Sequence, residues 1–557
     1  MPAALFDAHG TGGDGLGTVM LTHAAPLASE SNATSAAVGT SAFDALLSPS
    51  QGFQVPLTAR ENAHAGQRPD VWMRLQQQIN HAQRRLAHIE GRSAPTDEEL
   101  LENMLHRRSW VENVWTPQQR RALDADRPTA TGEAKGGPPH GTAAKAPVHK
   151  RVEASARMAA SSTLSRYIAK STGIVNDLMH RRPSRVGNET LAARGNGYSQ
   201  AEAHAQKQHS VTKAGDVSAS HSLGLSIEAN DIGYFATVEI GSSNKKYTML
   251  VDSGSSDTWI TGTQCGSCGS SQRQKLGKSN SKSLTTNNQQ YKISYGTGSV
   301  HVLKGTDSMN IAGLQLNKFS FGLATQESSQ FGASNIPFDG LMGLGGSSLS
   351  IMGDDTAIEA LFKANQVSAP IVGYRLGRVA DGTNRGQITF GAVDESQVSG
   401  SLSEFDNENK NGYWEIRIDD VKIGSQSVMG RSKKRGGNKH MATLDTGTSL
   451  IVAPKAQADA IHNAIPGASP DGQGGYTLPC TVNKHLSFTF SGKTYTVDAR
   501  DLLFSPSNGN LQGTCVSAVT TGDTQGGSGW LLGAAFLKNV YFATNSKSNT
   551  VALGKLN

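Results

Sequence analysis

Two short stretches carry the residue types that could do chemistry. Asp252-Ser253-Gly254-Ser255-Ser256 follows the largely apolar run Thr248-Met249-Leu250-Val251, and Asp445-Thr446-Gly447-Thr448-Ser449 follows Met441-Ala442-Thr443-Leu444. Each reads as a strand delivering one aspartate into a tight turn, with a second apolar stretch behind it (Trp259-Ile260, then Leu450-Ile451-Val452). A carboxylate at the end of an apolar strand is costly unless its oxygens are hydrogen-bonded. Gly254 and Gly447 lack a Cβ, so the backbone can come close and offer N–H groups. The hydroxyls of Ser255 and Thr448 can donate to the outer oxygens.

One Asp-Thr-Gly is weak, because the same tripeptide makes an ordinary Asx turn. Two copies with matched flanks, 193 residues apart, point to an internal duplication whose halves face each other. Two carboxylates at hydrogen-bonding distance share one proton and titrate as a pair. The charged member can deprotonate a water while the protonated one donates to a substrate carbonyl.

With these motifs the chain resembles the pepsin-like aspartic endopeptidases, in detail the fungal secreted or vacuolar members, over residues 230–557. Tyr295-Gly296-Thr297-Gly298 resembles the flap that closes over substrate. Phe338-Asp339-Gly340-Leu341-Met342-Gly343-Leu344-Gly345 resembles the first-lobe strand ending in two apolar residues and a glycine, and Trp530-Leu531-Leu532-Gly533 its second-lobe counterpart. The resemblance implies a mainly β, bilobal fold with two pseudo-twofold-related barrel-like lobes and the cleft between them.

It also implies roles. Asp252 and Asp445 are the expected catalytic pair. Ser253, Gly254, Ser255, Thr446, Gly447 and Thr448 support it, with Ser253 and Thr446 locking the two turns together. Tyr295, Gly296 and Thr297 form the flap, Trp259 hydrogen-bonds the Tyr295 phenol, and Thr297, Leu341 and Phe331 line the pocket before the cut. Structural core remains an alternative for Phe331. Large apolar residues around the scissile bond are expected, since burial supplies the selectivity. No cofactor and no metal are expected.

All four cysteines lie after residue 260. One C-x-x-C without histidines at ligand spacing argues against zinc. We read Cys265–Cys268 as a small loop disulfide. Cys480 and Cys515 match the second-lobe disulfide that the resemblance implies. Both bridges suggest an oxidising compartment.

The elements that must position this site occupy the region after residue 229, rich in Ser, Thr, Gly and short apolar runs. We expect a first lobe over 229–398 and a second over 399–557. Residues 1–52 are expected to be disordered. They show no charged segment leading into an apolar one, so no secretory signal is visible. The expectation is that the true start lies upstream and that the protein is secreted or vacuolar.

Residues 53–125 read as a helical prosegment. Phe53-Gln54-Val55-Pro56-Leu57 resembles the opening of fungal prosegments. Apolar positions Val71, Met73, Leu75, Ile79 and Leu86 predict one amphipathic helix over 70–89. Leu100, Leu101, Met104, Leu105, Trp110 and Val114 predict another over 97–115, behind a Thr96 cap. A pair of solvated helices with no partner is the bland alternative. Residues 126–228 read as a flexible linker.

Residues 51–200 carry 22 Lys/Arg against 14 Asp/Glu, whereas 226–557 carry 28 against 26. No nucleic-acid motif accompanies the basic stretch, so it fits a prosegment covering an acidic cleft as an intramolecular inhibitor. The dibasic pairs Arg107-Arg108, Arg120-Arg121, Lys150-Arg151 and Arg181-Arg182 are candidate processing sites, and Asn32 and Asn188 sit in glycosylation sequons. Arg431-Ser432-Lys433-Lys434-Arg435 looks like an inserted basic loop. No run is long and apolar enough for a membrane span. The expected partners are extended polypeptide substrates, not nucleic acid, and a monomer suffices because one chain holds both aspartates. The alternative is a catalytically silent pepsin-like binding protein. Such a chain would be expected to have lost an aspartate, its glycine or the flap.

Overall fold

The computed structural model describes residues 71–114, 197–269, 273–296, 298–328, 331–332, 336–429, 440–507, 509–522 and 529–557. Residues 1–52, Phe53–Leu57, Thr297, the loop 431–435, both sequons and the dibasic pairs after Arg108 lie outside them.

Strand pairing repeats in the two halves. Lys245–Asp252 runs parallel to Gly340–Gly343, with Gly343 opposite Asp252. Met441–Leu444 runs parallel to Trp530–Leu532, with Leu444 opposite Leu532. In each half the strand after the aspartate turn packs antiparallel to that same partner: Trp259–Thr261 on Gly340–Gly343, and Ile451–Ala453 on Trp530–Leu532. Each then pairs in parallel on its other side, with Leu314–Glu327 and with Val519–Thr521. Parallel strands buried on both faces read as apolar runs, which is the pattern both stretches show.

These strands belong to a nine-stranded sheet in the first half and a five-stranded sheet in the second. A six-stranded sheet joins them, its strands being Ser222–Gly224, Gln387–Phe390, Ile371–Arg375, Val540–Asn545, Thr550–Leu556 and Val398–Asp406 in spatial order. The fold is the mainly β, bilobal one expected. No helix among the described residues is long and apolar enough to cross a membrane.

Two helices stand ahead of the lobes: α1 (Val71–Ile89) and α2 (Asp97–Val114). Thr96 caps α2 reciprocally, its hydroxyl accepting from Glu99 N–H and Glu99 accepting from Thr96 N–H. Neither helix is a solvated rod. Trp72, Leu75, Ile79, Ala82 and Leu86 of α1 join the main hydrophobic core, and so do polar residues Gln76, Asn80, His81 and Arg85 in being buried. A helix buried nearly all round lies between other elements. Here α2 holds one side, through Asn80 donating to the Leu100 carbonyl, and the lobes hold the rest.

Two expectations need correction. Part of the stretch expected to be linker is structured: α3 (Gln200–Gln208) starts from a Ser199/Glu202 capping box and buries Ala205 and Gln206 against the body. The strand Val211–Thr212 then pairs with Ser226–Glu228. The low aromatic content hid this, because the helix is short and its buried face is small and polar. Second, Arg107 is no exposed processing site. It is fully buried, donating to Gln76 Oε1, to Asp471 and to the Gln473 carbonyl of the second half.

Candidate active site

The two aspartate turns meet face to face. Gly254 N–H donates to Asp252 Oδ1 and Gly447 N–H to Asp445 Oδ1, both at 2.9 Å. Ser255 and Thr448 hydroxyls donate to the other oxygens. A Cβ on Gly254 would stand 2.6 Å from Asp445 Oδ1, and one on Gly447 2.3 Å from Asp252 Oδ1. The glycines are therefore required by close approach across the pair, beyond any turn geometry.

Ser253 and Thr446 tie the turns together. Ser253 N–H donates to Thr446 Oγ1 at 2.9 Å, and Thr446 N–H to Ser253 Oγ at 3.0 Å. Each hydroxyl then donates onward to the opposite strand, Ser253 to the Leu444 carbonyl and Thr446 to the Val251 carbonyl. All four groups are buried, so each bond also avoids an orphaned polar atom. Serine serves here as well as threonine.

Above the pair, Trp259 Nε1 donates to the Tyr295 hydroxyl at 2.9 Å. Phe331 packs edge-on against Tyr295 (5.4 Å between centroids) and Trp259 (5.8 Å). Leu341, Phe338 and Met352 complete this apolar cluster. The structure thus brings together every named residue among those described: the pair, its supports, Tyr295, Gly296, Trp259, Leu341 and Phe331. The cysteines bridge as Cys265–Cys268 and Cys480–Cys515.

The cleft is filled by α1. Arg85 Nη1 donates to Asp252 Oδ1 at 3.1 Å and to Asp445 Oδ2, and its Nη2 donates to Asp252 Oδ2 at 3.0 Å. One turn earlier, His81 lies under the hairpin: a Cβ on Gly296 would fall 2.2 Å from His81 Cα. Neither ring nitrogen of His81 has a hydrogen-bond partner among the described residues. Arg84 reaches the Tyr295 carbonyl at 3.4 Å.

The charges sort accordingly. Burial pulls the Asp252 carboxyl up, but the Arg85 charge and the donors around it outweigh this and hold it well below the usual carboxylate range. Asp445 is pushed up, by burial first and by the charge on Asp252 against the pull of Arg85. One member of the pair is therefore set as carboxylate and the other toward carboxylic acid. Burial, reinforced by Arg85 and opposed by Asp252, pushes His81 down to about 3.

Sequence reasoning anticipated a basic segment over acidic groups without identifying Arg85 or His81. The signal was present only in part: both fall on the buried side of α1, yet periodicity does not say which cation ends a chain's width away beside which anion.

Residues 233–556 match the eukaryotic aspartyl protease family. Over 336 residues the chain is 35% identical to a probable aspartic-type endopeptidase CTSD of Arthroderma benhamiae, covering 60% of this chain and 63% of that protein. It is 32% identical over 335 residues to the aspartic-type endopeptidase ctsD of Aspergillus fumigatus, covering 60% and 68%. It is 32% identical over 320 residues to rhizopuspepsin of Rhizopus chinensis, covering 57% and 76%. The match thus spans less than two thirds of the first of these relatives.

Proposed function

From the premise that this chain belongs to the eukaryotic aspartyl protease family, we propose that it is an acid-acting endopeptidase held closed by its own N-terminal helices. The observation that carries the reading is the Asp252–Asp445 pair with Arg85 seated on it. Once Arg85 leaves, a water takes its place between the carboxylates. One aspartate of the pair, as carboxylate, removes a proton from that water as it attacks the peptide carbonyl carbon. Its protonated partner donates its proton to the carbonyl oxygen. The tetrahedral diol collapses as the aspartate that took the water's proton passes it to the amide nitrogen, the C–N bond breaks and the other aspartate regains its proton from a diol hydroxyl, with no covalent enzyme intermediate.

The Tyr295 hairpin folds over an extended substrate strand. The apolar cluster of Phe331, Leu341 and Trp259 accepts a large apolar side chain before the cut. Burial selects size coarsely, so specificity is broad. The two disulfides fit an oxidising compartment, consistent with a secreted or vacuolar enzyme.

In this reading α1 and α2 are the prosegment. Arg85 replaces the catalytic water, His81 blocks the space beneath the flap, and the buried Arg107–Asp471 pair anchors α2 to the second lobe. Against the silent-binder alternative stands the retention of both aspartates, both glycines and the hairpin tyrosine in the chain. The test is to hold purified full-length protein at pH 7 and at pH 3.5, following chain length by mass spectrometry and casein cleavage by released peptide. Acid-dependent shortening with matching onset of cleavage is expected. Equal shortening at both pH values, or shortening with no cleavage, contradicts the proposal.

A further inference from the structure

Behind the apolar wall lies a buried ion pair that the dyad does not use. Arg273 is 7% exposed and Glu327 is 4% exposed. Arg273 Nη1 donates to Glu327 Oε2 at 2.6 Å and to the Phe331 carbonyl at 2.9 Å. Its Nη2 donates to Thr261 Oγ1 at 2.7 Å and to Glu327 Oε1 at 3.2 Å. The guanidinium carbon also lies 5.7 Å from the centroid of Phe338. Glu327 N–H in turn donates to Ser267 Oγ, inside the Cys265–Cys268 loop. A Cβ on Gly332 would sit 2.3 Å from the Ser267 carbonyl oxygen, so the residue after Phe331 is pressed directly onto that loop.

A buried ion pair is poor value as a stabiliser, because desolvating two charges offsets most of their attraction. What a guanidinium supplies is direction: its planar fork fixes whatever it bonds. Here the fork grips, at once, its carboxylate, the strand Trp259–Thr261 through Thr261, and the backbone of Phe331. The ring of Phe331 therefore stands at a fixed height against Tyr295 and Trp259.

We propose that Arg273, oriented by Glu327, is a positioning residue for selectivity, setting the Phe331 wall of the pocket that takes the side chain before the cut. This rests on the endopeptidase reading above. A wall free to shift accepts small and large side chains with less distinction, since the gain from burying an aromatic ring depends on close packing. The Arg273 bonds run to Glu327, Thr261 and the Phe331 backbone, so its effect falls on discrimination and not on the protonation of the dyad.

The test uses acid-processed enzyme and matched peptides with Phe or Ala before the cut. The single variant Arg273→Met leaves the Glu327 carboxylate buried without its cation, so the informative protein is R273M/E327L, which removes both charges at similar volume. Its folding is checked by thermal melting. We expect the Phe-over-Ala ratio of kcat/KM to fall about tenfold, mostly through KM for the Phe peptide, with the pH profile in place. Arg273→Lys keeps the charge but not the fork, and it should not restore the ratio. A folded R273M/E327L with the wild-type ratio, or full rescue by lysine, overturns the proposal. A wild type that cleaves both peptides equally overturns it while leaving the peptidase standing. A wild type that cleaves neither overturns both.

Discussion

If α1 closes the enzyme as proposed, His81 should make that closed state sensitive to acid before the dyad itself is titrated, and replacing it with leucine measures by how much. In the docked helix its ring is buried beside Arg85, and the group is held at about 3 against an ordinary 6.5. A depressed histidine favours the docked state only while neutral. As pH falls below 6.5 the released helix takes up a proton that the docked one does not, so docking weakens by ~1.4 kcal/mol per pH unit. By pH 4 the accumulated bias toward opening is ~3 kcal/mol, or a few hundredfold. Below that, the depressed Asp252 acts in the same direction, because protonating it removes the partner of Arg85. His81→Leu keeps the volume and deletes the first of these two protons. Self-processing rates, read from gel time courses between pH 7 and 3, should rise steeply from pH 6 in the wild type. In the variant they should stay low until about pH 4, when carboxylates begin to protonate. A variant whose rate climbs between pH 6 and 4 as the wild type does refutes the reasoning.

Other expectations follow from single contacts. Arg85→Met leaves the closed helix without its ion pair and the aspartates buried, which should weaken docking by ~3–5 kcal/mol and produce casein cleavage near pH 6 without prior acid treatment. Arg107→Met strands Asp471, with a similar cost, and should make α2 exchange its amide hydrogens faster and open the chain at Arg108 to trypsin. Cys480 and Cys515 close a loop of 35 residues, so replacing both by serine should lower stability by ~4 kcal/mol in denaturant melts, while the smaller Cys265–Cys268 loop should matter less.

The dyad, its hydroxyl supports and the duplication were legible in the sequence because each lies within a few residues of a repeated motif, whereas the Trp259–Tyr295 bond was implied by the family resemblance alone. A local motif fixes local geometry, and the second copy supplies the partner. Phe331 was open between pocket and core; it is buried in an apolar cluster and packs edge-on against Tyr295. What could not be read were contacts between distant elements without a repeated motif. Arg85 lies 360 residues from Asp445, and Arg107 lies 364 from Asp471. Each was one arginine among many. Helix α3 was missed for another reason: its face is mostly alanine and glutamine, and only Ser199 and Glu202, three apart, marked its start. Arg273 and Glu327, 54 residues apart, likewise carried no motif that joins them.

The account stands on Asp252 and Asp445 acting as one pair. The most direct test is the pH–rate profile of acid-processed enzyme on a single peptide, for wild type, Asp252→Asn and Asp445→Asn. We predict an acid-peaked profile in the wild type and a loss of about four orders of magnitude in kcat in each variant, with the double variant no worse than either. Substantial activity surviving in either single variant, or losses that simply add in the double, contradicts it.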